Sequence, residues 1–173
     1  SLFGSQPGWK FHINSGQFNP GLGLKDQTYA GNLDIKIDAM GMGFDLQNFS
    51  GSSDIIISGS EIYSQQFSSF SFAGSIDQNQ VHGRLSGQLQ ESSAIMDFNI
   101  VDWQSLPEYE FNLEMSRMNL AELNGLEDFP TFLNGTVEGS GTSFDPEEMT
   151  IMATANFDSS IVNGEEIEEL STD

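Results

Sequence analysis

Short segments that alternate polar and apolar residues make up most of this chain, and they restrict its fold more than any other feature. Leu33, Ile35 and Ile37, for example, are separated by single charged residues. Alternation with a period of two is typical of β-strands, because successive side chains of a strand point to opposite faces of its sheet. Gly, Ser, Asn and Asp separate the segments at short intervals, as turns do. The sequence therefore predicts an all-β fold of many strands.

Helical patterning is confined to two short stretches. Asn119 followed by Glu122 forms a capping box, which predicts one or two helical turns over residues 120–126, ahead of Pro130. A second short helix is predicted to begin at Asn163, where glutamates surround two apolar residues. No long helix is thus available to cover the apolar side of the sheet. The sheet must fold onto itself or leave that side partly open for a ligand or a neighbouring chain segment.

Composition argues against several classes of function. Five basic residues stand against 26 acidic ones, a formal net charge of -21, which disfavours nucleic acid and polybasic membrane contacts because both need clustered Lys and Arg. The absence of cysteine excludes disulfides and thiolate chemistry. The longest apolar runs are short, so we expect no membrane-spanning helix. The chain begins at Ser1, and we interpret it as a fragment whose targeting signals lie elsewhere.

No residue pattern predicts catalysis. His12 and His82 are the candidates for an imidazole base, and each lies in an ordinary alternating segment. Carboxylates are abundant, but neither a nucleophile elbow nor a calcium-binding loop is present. The Gly-x-Gly pairs lack the third glycine and the helix of a dinucleotide site, and strand bends explain them better. We expect a protein that is not an enzyme and has no cofactor or metal site.

An internal repeat is visible at a spacing of about 100 residues, which exceeds the repeat length of compact solenoids. Residues 41–45 (G-M-G-F-D) match residues 139–141 (G-S-G) followed by Phe144 and Asp145, and an alternating strand follows each copy. Each copy ends in an apolar pair three residues apart, at positions 67 and 70 and at positions 167 and 170. Residues 1–173 are therefore predicted to form a single segment of a larger repetitive β-domain, with diverged units at about 29–100 and 109–173.

A succession of motifs in the second half resembles the repeating unit of AsmA-like and TamB-like bacterial envelope proteins. The motifs are R-M-N-L-A-E-L at 117–123, F-L-N-G-T-V-E-G-S-G at 132–141, F-D-P at 144–146 and D-S-S-I-V-N-G at 158–164. In that family, a short helix, a glycine-rich strand pair, a D-P turn and a hairpin follow in this order. Residues 29–70 resemble a degenerate copy. Asn119 stands where the family usually has Asp, and no proline follows Asp45.

The resemblance implies both a fold and a function. The implied fold is an elongated, curled antiparallel sheet (a β-taco or half-barrel) with an apolar inner groove and one or two very short helices. The groove would shield phospholipid acyl chains between the inner and outer membranes, in the bacterial periplasm, and so support lipid transport and outer-membrane biogenesis. Implied partners are acyl chains, adjacent segments of the same long chain and an outer-membrane assembly protein. The membrane anchor would lie outside residues 1–173.

The apolar positions of the alternating segments are the candidate groove residues, because hydrocarbon contact requires apolar area and no specific hydrogen bond. They are Leu33, Ile35, Ile37, Ile55, Ile57, Phe70, Phe72, Leu85, Leu89, Phe98, Ile100, Phe111, Leu113, Val137, Ile151 and Phe157.

Two alternatives stay open at this point. The same apolar positions would also suit the sealed core of a β-sandwich, because every sandwich alternates inward apolar and outward polar residues. The chain would then be an extracellular adhesin-like or scaffolding β-module that binds a protein or a glycan on its acidic surface. An open groove that retains lipid would distinguish the lipid-binding hypothesis from both.

Overall fold

One sheet of ten antiparallel strands contains the regular structure in a computed structural model that describes residues 7–19, 22, 32–44, 49–62, 65–119, 131–162 and 164–172. The strands are β1 (Gly8–Phe18), β2 (Leu33–Met42), β3 (Ser50–Ile62), β4 (Gln65–Asp77), β5 (Gln80–Leu89), β6 (Ser92–Val101), β7 (Glu108–Asn119), β8 (Thr131–Thr142), β9 (Thr150–Val162) and β10 (Glu165–Thr172). The predicted all-β fold is thus confirmed.

The strands are arranged in the sheet in the same order as in the chain. Each of the strands β2 to β9 pairs with the strand before it and the strand after it. Strands β1 and β10 lie at the two edges of an open sheet. Two-residue turns join β4 to β5 and β5 to β6. Gln78 and Gln90 begin these turns at φ 50° and 52°, the left-handed conformation that tight hairpins use. Pairing between consecutive strands follows from turns this short.

The alternating sequence divides the sheet into two chemically different faces. We call the side that carries Ile37 and Leu113 the apolar face, and the side that carries Lys36 and Glu114 the polar face. Directly paired residues of neighbouring strands share a face, so that the register of the ladder extends these definitions to every strand. Leu33, with 7% of its surface exposed, and Pro107 have the only buried apolar side chains among the residues whose burial is described. Strand contacts there are chiefly between consecutive strands, so that no second layer forms a core.

The two predicted helices have different outcomes. Residues 120–126 lie outside the described residues. The helix predicted to begin at Asn163 is wrong, because Glu165–Thr172 forms strand β10 and pairs with β9 in regular antiparallel register. Glutamates at a helix start are a weak local preference, and pairing with a neighbouring strand outweighs it. Charged side chains are also common on edge strands.

Strands β7 to β10 repeat the pairing of β1 to β4 at positions whose numbers differ by 100. Gly8 lies opposite Met42, and Glu108 lies opposite Thr142. In the same way, Ile57 lies opposite Phe70 and Phe157 opposite Leu170. Even the irregularities recur, because β1 has a register shift between Ser15 and Phe18 and β7 has one between Met115 and Met118.

The backbone at these two irregularities is the same in detail. Gln17 and Arg117 are left-handed, with φ of 57° and 50°. The N–H of Gln17 donates to Asp34 Oδ1 at 3.0 Å, and the N–H of Arg117 donates to Asn134 Oδ1 at 2.8 Å. Bulges of this kind are usually retained because they bend a strand at a defined place. The chain therefore contains a structural repeat. Strands β1 to β6 form one copy of six strands, and β7 to β10 correspond to the first four strands of that copy.

The far ends of the two copies also correspond. The N–H of Gly43 donates to the carbonyl of Pro7 at 3.1 Å, and that of Ser143 donates to the carbonyl of Pro107 at 2.8 Å. The structure therefore aligns position 41 with 141 and not with 139, the match suggested by the Gly-x-Gly motifs. The predicted unit boundaries, about 29–100 and 109–173, stay a prediction. The backbone correspondence between the two copies already starts at Pro7, which matches Pro107.

Candidate functional site

All sixteen predicted groove residues lie on the apolar face. The ladder register connects them from strand to strand, so that the parity of each strand is fixed relative to the next. One row of directly paired residues crosses the whole sheet. It consists of Ile13, Ile37, Ile55, Phe72, Leu85, Met96, Leu113, Val137, Ala155 and Thr172. With strands 4.7–4.9 Å apart, its apolar part from β1 to β9 is roughly 40 Å long.

The apolar face is partly accessible to solvent across the sheet. Leu33 is buried, Ile151 is 50% exposed, and the other fourteen predicted residues are half-buried. Within the described ranges no helix or second sheet packs on them. Their partial burial comes from neighbours on the same face, which is the only cover that a single layer provides. A sealed sandwich core is therefore not what these strands form.

Aromatic rings on this face lie over glycines of the neighbouring strand. Gly83 is directly paired with Phe98, and Gly139 with Phe111. A methyl group built on Gly139 would lie 2.5 Å from Cζ of Phe111, and one built on Gly83 would overlap the ring of Phe98. The rings therefore occupy the space in which a side chain would stand. The result is a low, continuous apolar surface of rings and aliphatic side chains.

The sequence prediction missed the apolar residues of the edge strand. Trp9, Phe11 and Ile13 continue the apolar face onto β1, where Phe11 is 49% exposed. Their alternation with Lys10 and His12 is the same signal that identified the other strands. Four further apolar residues on β5, β6 and β7 also lie on this face, although they are not among the sixteen predicted groove residues. They are Val81, Met96, Tyr109 and Met115.

Charged side chains lie on the opposite, polar face. Nε and Nη2 of Arg84 donate to the two carboxylate oxygens of Asp97 at 2.7 and 2.6 Å, which joins β5 to β6. The hydrogen bond from Arg84 lowers the pKa of Asp97 below its ordinary value. The same hydrogen bond raises the pKa of Arg84. Near the edge, His12 Nδ1 lies 2.7 Å from Asp38 Oδ1 and joins β1 to β2. No comparable charge lies on the apolar face of these strands.

A broad concavity lies on the polar face. It has a volume of about 1550 Å³ and crosses the middle of seven consecutive strands, from β3 to β9. Its walls include Asp54, Arg84, Asp97, Glu110 and Glu138. Two smaller concavities lie on the same face, one of them at Met40 and Met42 beside β1. Phe98, Phe111 and Ile151, three of the predicted groove residues, also line the concavity of about 1550 Å³. None of the three concavities is lined mainly by the predicted groove residues.

No metal-binding geometry is found along the described strands. His82 lies on the wall of the polar concavity, and His12 is bound to Asp38 at the edge. No three His, Asp or Glu residues of the described ranges are placed to hold a metal ion. In the same part of the chain, no helix has the length and apolarity that crossing a membrane would require.

Comparison of the chain with protein-family models, curated proteins and solved structures finds no significant match. The function must therefore be argued from the two faces of the sheet.

Proposed function

We propose that this chain is a non-catalytic segment of the bacterial cell envelope whose apolar face shields phospholipid acyl chains. In this proposal the sheet forms the wall of a lipid groove that connects the inner and outer membranes and supports outer-membrane biogenesis. The protein would lie in the periplasm, with its membrane anchor outside this segment. Its partners would be acyl chains, adjacent segments of the same long chain and an outer-membrane assembly protein.

The observation that carries this proposal is the unbroken apolar row from Ile13 to Ala155, which runs across nine strands without an ionisable side chain. A hydrocarbon chain laid along it would meet apolar atoms at every strand. Each buried methylene contributes about 0.8 kcal/mol, so that several methylenes suffice for binding without a polar anchor. Similar side chains along the whole row would hold a chain equally well at successive positions, which suits movement along the sheet.

Partial exposure of the row supports a ligand on this face, because Ile13 is 36% exposed and the other apolar members are half-buried by neighbours on the same face alone. Contiguous exposed apolar surface of several hundred Å² is rare on soluble monomers and usually marks an interaction site. Acyl chains fit the apolar face better than polar ligands, because the row offers no hydrogen-bonding side chain between Ile13 and Ala155. In the proposed lipid-bound state, the sheet curls around the chains on its apolar side, as in the envelope proteins that the sequence resembles.

Lipid content tests the proposal directly. Protein purified without harsh detergent should carry phospholipid in native mass spectra, and organic extraction should remove it. A phospholipid with a diazirine-labelled acyl chain should then crosslink to residues of the row. Phe111→Asp and Leu113→Asp should reduce this crosslinking to background, because a carboxylate on the face opposes hydrocarbon contact.

Glu110→Ala is the matched control, because Glu110 directly precedes Phe111 on β7 but lies on the polar face. It should crosslink as strongly as the parent protein, and far-UV circular dichroism should show the same strand content in all variants. Protein free of phospholipid, or equal labelling of Leu113→Asp and Glu110→Ala, would refute the proposal.

A second candidate function is supported by the concavity on the polar face. An extracellular adhesin-like or scaffolding module would bind a protein or a glycan there. Oδ1 of Asn112, a residue on its wall, is buried and without a hydrogen-bond partner among the described residues. This candidate predicts that Glu110→Ala and Glu138→Ala weaken binding to a glycan array or a captured protein, whereas Leu113→Asp has no such effect. Retention of phospholipid favours the first candidate.

A further inference from the structure

Among the described residues, the outer edge of β1 pairs with no strand, and it corresponds to an edge that is occupied elsewhere in the same sheet. Strand β7 is the structural counterpart of β1. On one side β7 pairs with β8, and β1 pairs in the same way with β2, the counterpart of β8. On its other side β7 pairs with β6 over residues 93–101. The same side of β1 is the edge of the sheet. The β6–β7 pair thus shows which kind of strand this edge accepts.

Side chains on β6 and β7 match closely across this pair. On the apolar face, Phe98 lies opposite Phe111, and Met96 lies opposite Leu113. The counterparts of these two β7 residues on β1 are Phe11 and Ile13, which would present similar apolar surface to an added strand. Cross-strand apolar pairs of this kind are a main source of sheet stability.

Charges would also match on the polar face. Asp97 and Asn99 of β6 lie opposite Asn112 and Glu110 of β7. The β1 positions that correspond to residues 112 and 110 are His12 and Lys10, and β1 contains no acidic residue. A strand with the charge pattern of β6 would therefore place its carboxylate beside a histidine and would meet no like charge. Strand β10, with four glutamates in its sequence, differs from this pattern.

A serine of β6 bonds the backbone at the bulge of β7. The hydroxyl of Ser92 on β6 donates to the carbonyl of Arg117 at 2.8 Å and accepts the N–H of Asn119 at 3.3 Å. The corresponding residues of β1 are Gln17 and Asn19. Oδ1 of Asn19 is buried and lacks a hydrogen-bond partner within the described residues. In β1 the carbonyl of Gln17 and the N–H of Asn19 correspond to the two backbone groups that Ser92 bonds.

We propose that the free edge of β1 is a docking site for a strand of the β6 type, supplied by an adjoining repeat unit. The added strand carries apolar residues at alternate positions, a carboxylate facing His12, and a serine that bonds the backbone beside Gln17. It extends the apolar face by one further unit through main-chain hydrogen bonds. This inference rests on the adjacent-segment partner named in the proposed function, and it holds whichever ligand the apolar face binds.

A synthetic peptide of residues 91–102, the β6 sequence, tests the proposal without lipid. Added to the whole chain, it should bind one to one, and hydrogen exchange should slow in β1 but not in β10. The chain has no cysteine, so that disulfides report the register cleanly. Ile95 lies opposite Glu114, whose β1 counterpart is Asn14. Asn14→Cys protein should therefore form a disulfide with an Ile95→Cys peptide, because directly paired strand residues lie within disulfide range.

Matched controls define the outcomes. Lys36→Cys, in the same row on the interior strand β2, should not form the disulfide. A Ser92→Ala peptide should bind several-fold more weakly, and a peptide of residues 165–172 should not protect β1. The proposal is overturned if the β6 peptide leaves exchange in β1 unchanged, or if both peptides protect it equally. It is also overturned if Asn14→Cys protein forms only symmetric dimers in the presence of the peptide. Failure of lipid labelling affects none of these results.

Discussion

Glycine has two different roles among the single residues of the apolar face. At Gly83 the absent side chain makes room for the ring of Phe98, which lies over the backbone of the neighbouring strand. Gly87 lies four positions along β5 on the same face, and a methyl group there would meet no heavy atom within 4 Å outside its chain neighbours. The two positions share strand, face and approximate exposure, so that they isolate the effect of ring packing.

Gly83→Ala should destabilise the fold by about 1–3 kcal/mol, because the new methyl group displaces the ring of Phe98. Gly87→Ala should be neutral or stabilise by about 0.4–1 kcal/mol, since alanine narrows the unfolded ensemble without steric conflict. Urea denaturation followed by tryptophan fluorescence measures both. Equal effects at the two positions would contradict the ring-over-glycine packing.

At the scale of secondary-structure elements, polar-face bonds join neighbouring strands while apolar contacts fill the other side. The β5–β6 pair has the clearest example, the two-pronged contact of Arg84 with Asp97. Both side chains are more than half exposed, so that solvent screens the pair and its effect on stability is modest. Such a bond fixes register more than it adds free energy, because a shift by one residue would separate the charges.

The sign of the Asp97 shift predicts a pH dependence. A carboxyl whose pKa is lowered by folding stabilises the folded state above its ordinary pKa, about 3.8, and this contribution is lost as pH falls through the lowered value. Arg84→Gln should return the pKa of Asp97 toward the ordinary value in a carbon-detected NMR titration. Asp97→Asn should lose less stability than the parent protein between pH 5 and pH 2. An unchanged Asp97 titration in Arg84→Gln would refute this assignment.

For the molecule as a whole, stability is distributed along one dimension. Each strand contacts chiefly its two neighbours, as in repeat proteins, and no separate core holds distant strands together in the described part of the chain. A defect in the middle should therefore divide the sheet, whereas a defect at an edge should stay local. The open apolar face is the other consequence of this single layer, and it is the feature on which the proposed lipid contact depends.

A proline in a central strand should therefore raise hydrogen exchange in more strands than a proline in an edge strand. Asn99→Pro removes a ladder position in β6 and should raise hydrogen exchange over several strands on both sides. Asn14→Pro in the edge strand β1 should raise exchange in β1 and β2 alone. Exchange measured by mass spectrometry on both variants distinguishes them. Equal spread of the two effects would indicate a cooperative core, in conflict with a single-layer sheet.

The amino-acid sequence by itself determined the all-β class and the parity of the apolar residues within most strands, because alternation is a local property of an extended chain. It also indicated the repeat of about 100 residues. It did not identify Trp9 and Phe11 as part of the apolar face, and its local helix signal at Asn163 gave the wrong element. The sixteen predicted residues share one face only because the ladder registers bring the parities of neighbouring strands into agreement. Register, the free edge of β1 and the position of the concavity on the polar side depend on pairing between strands, and local sequence does not specify that pairing.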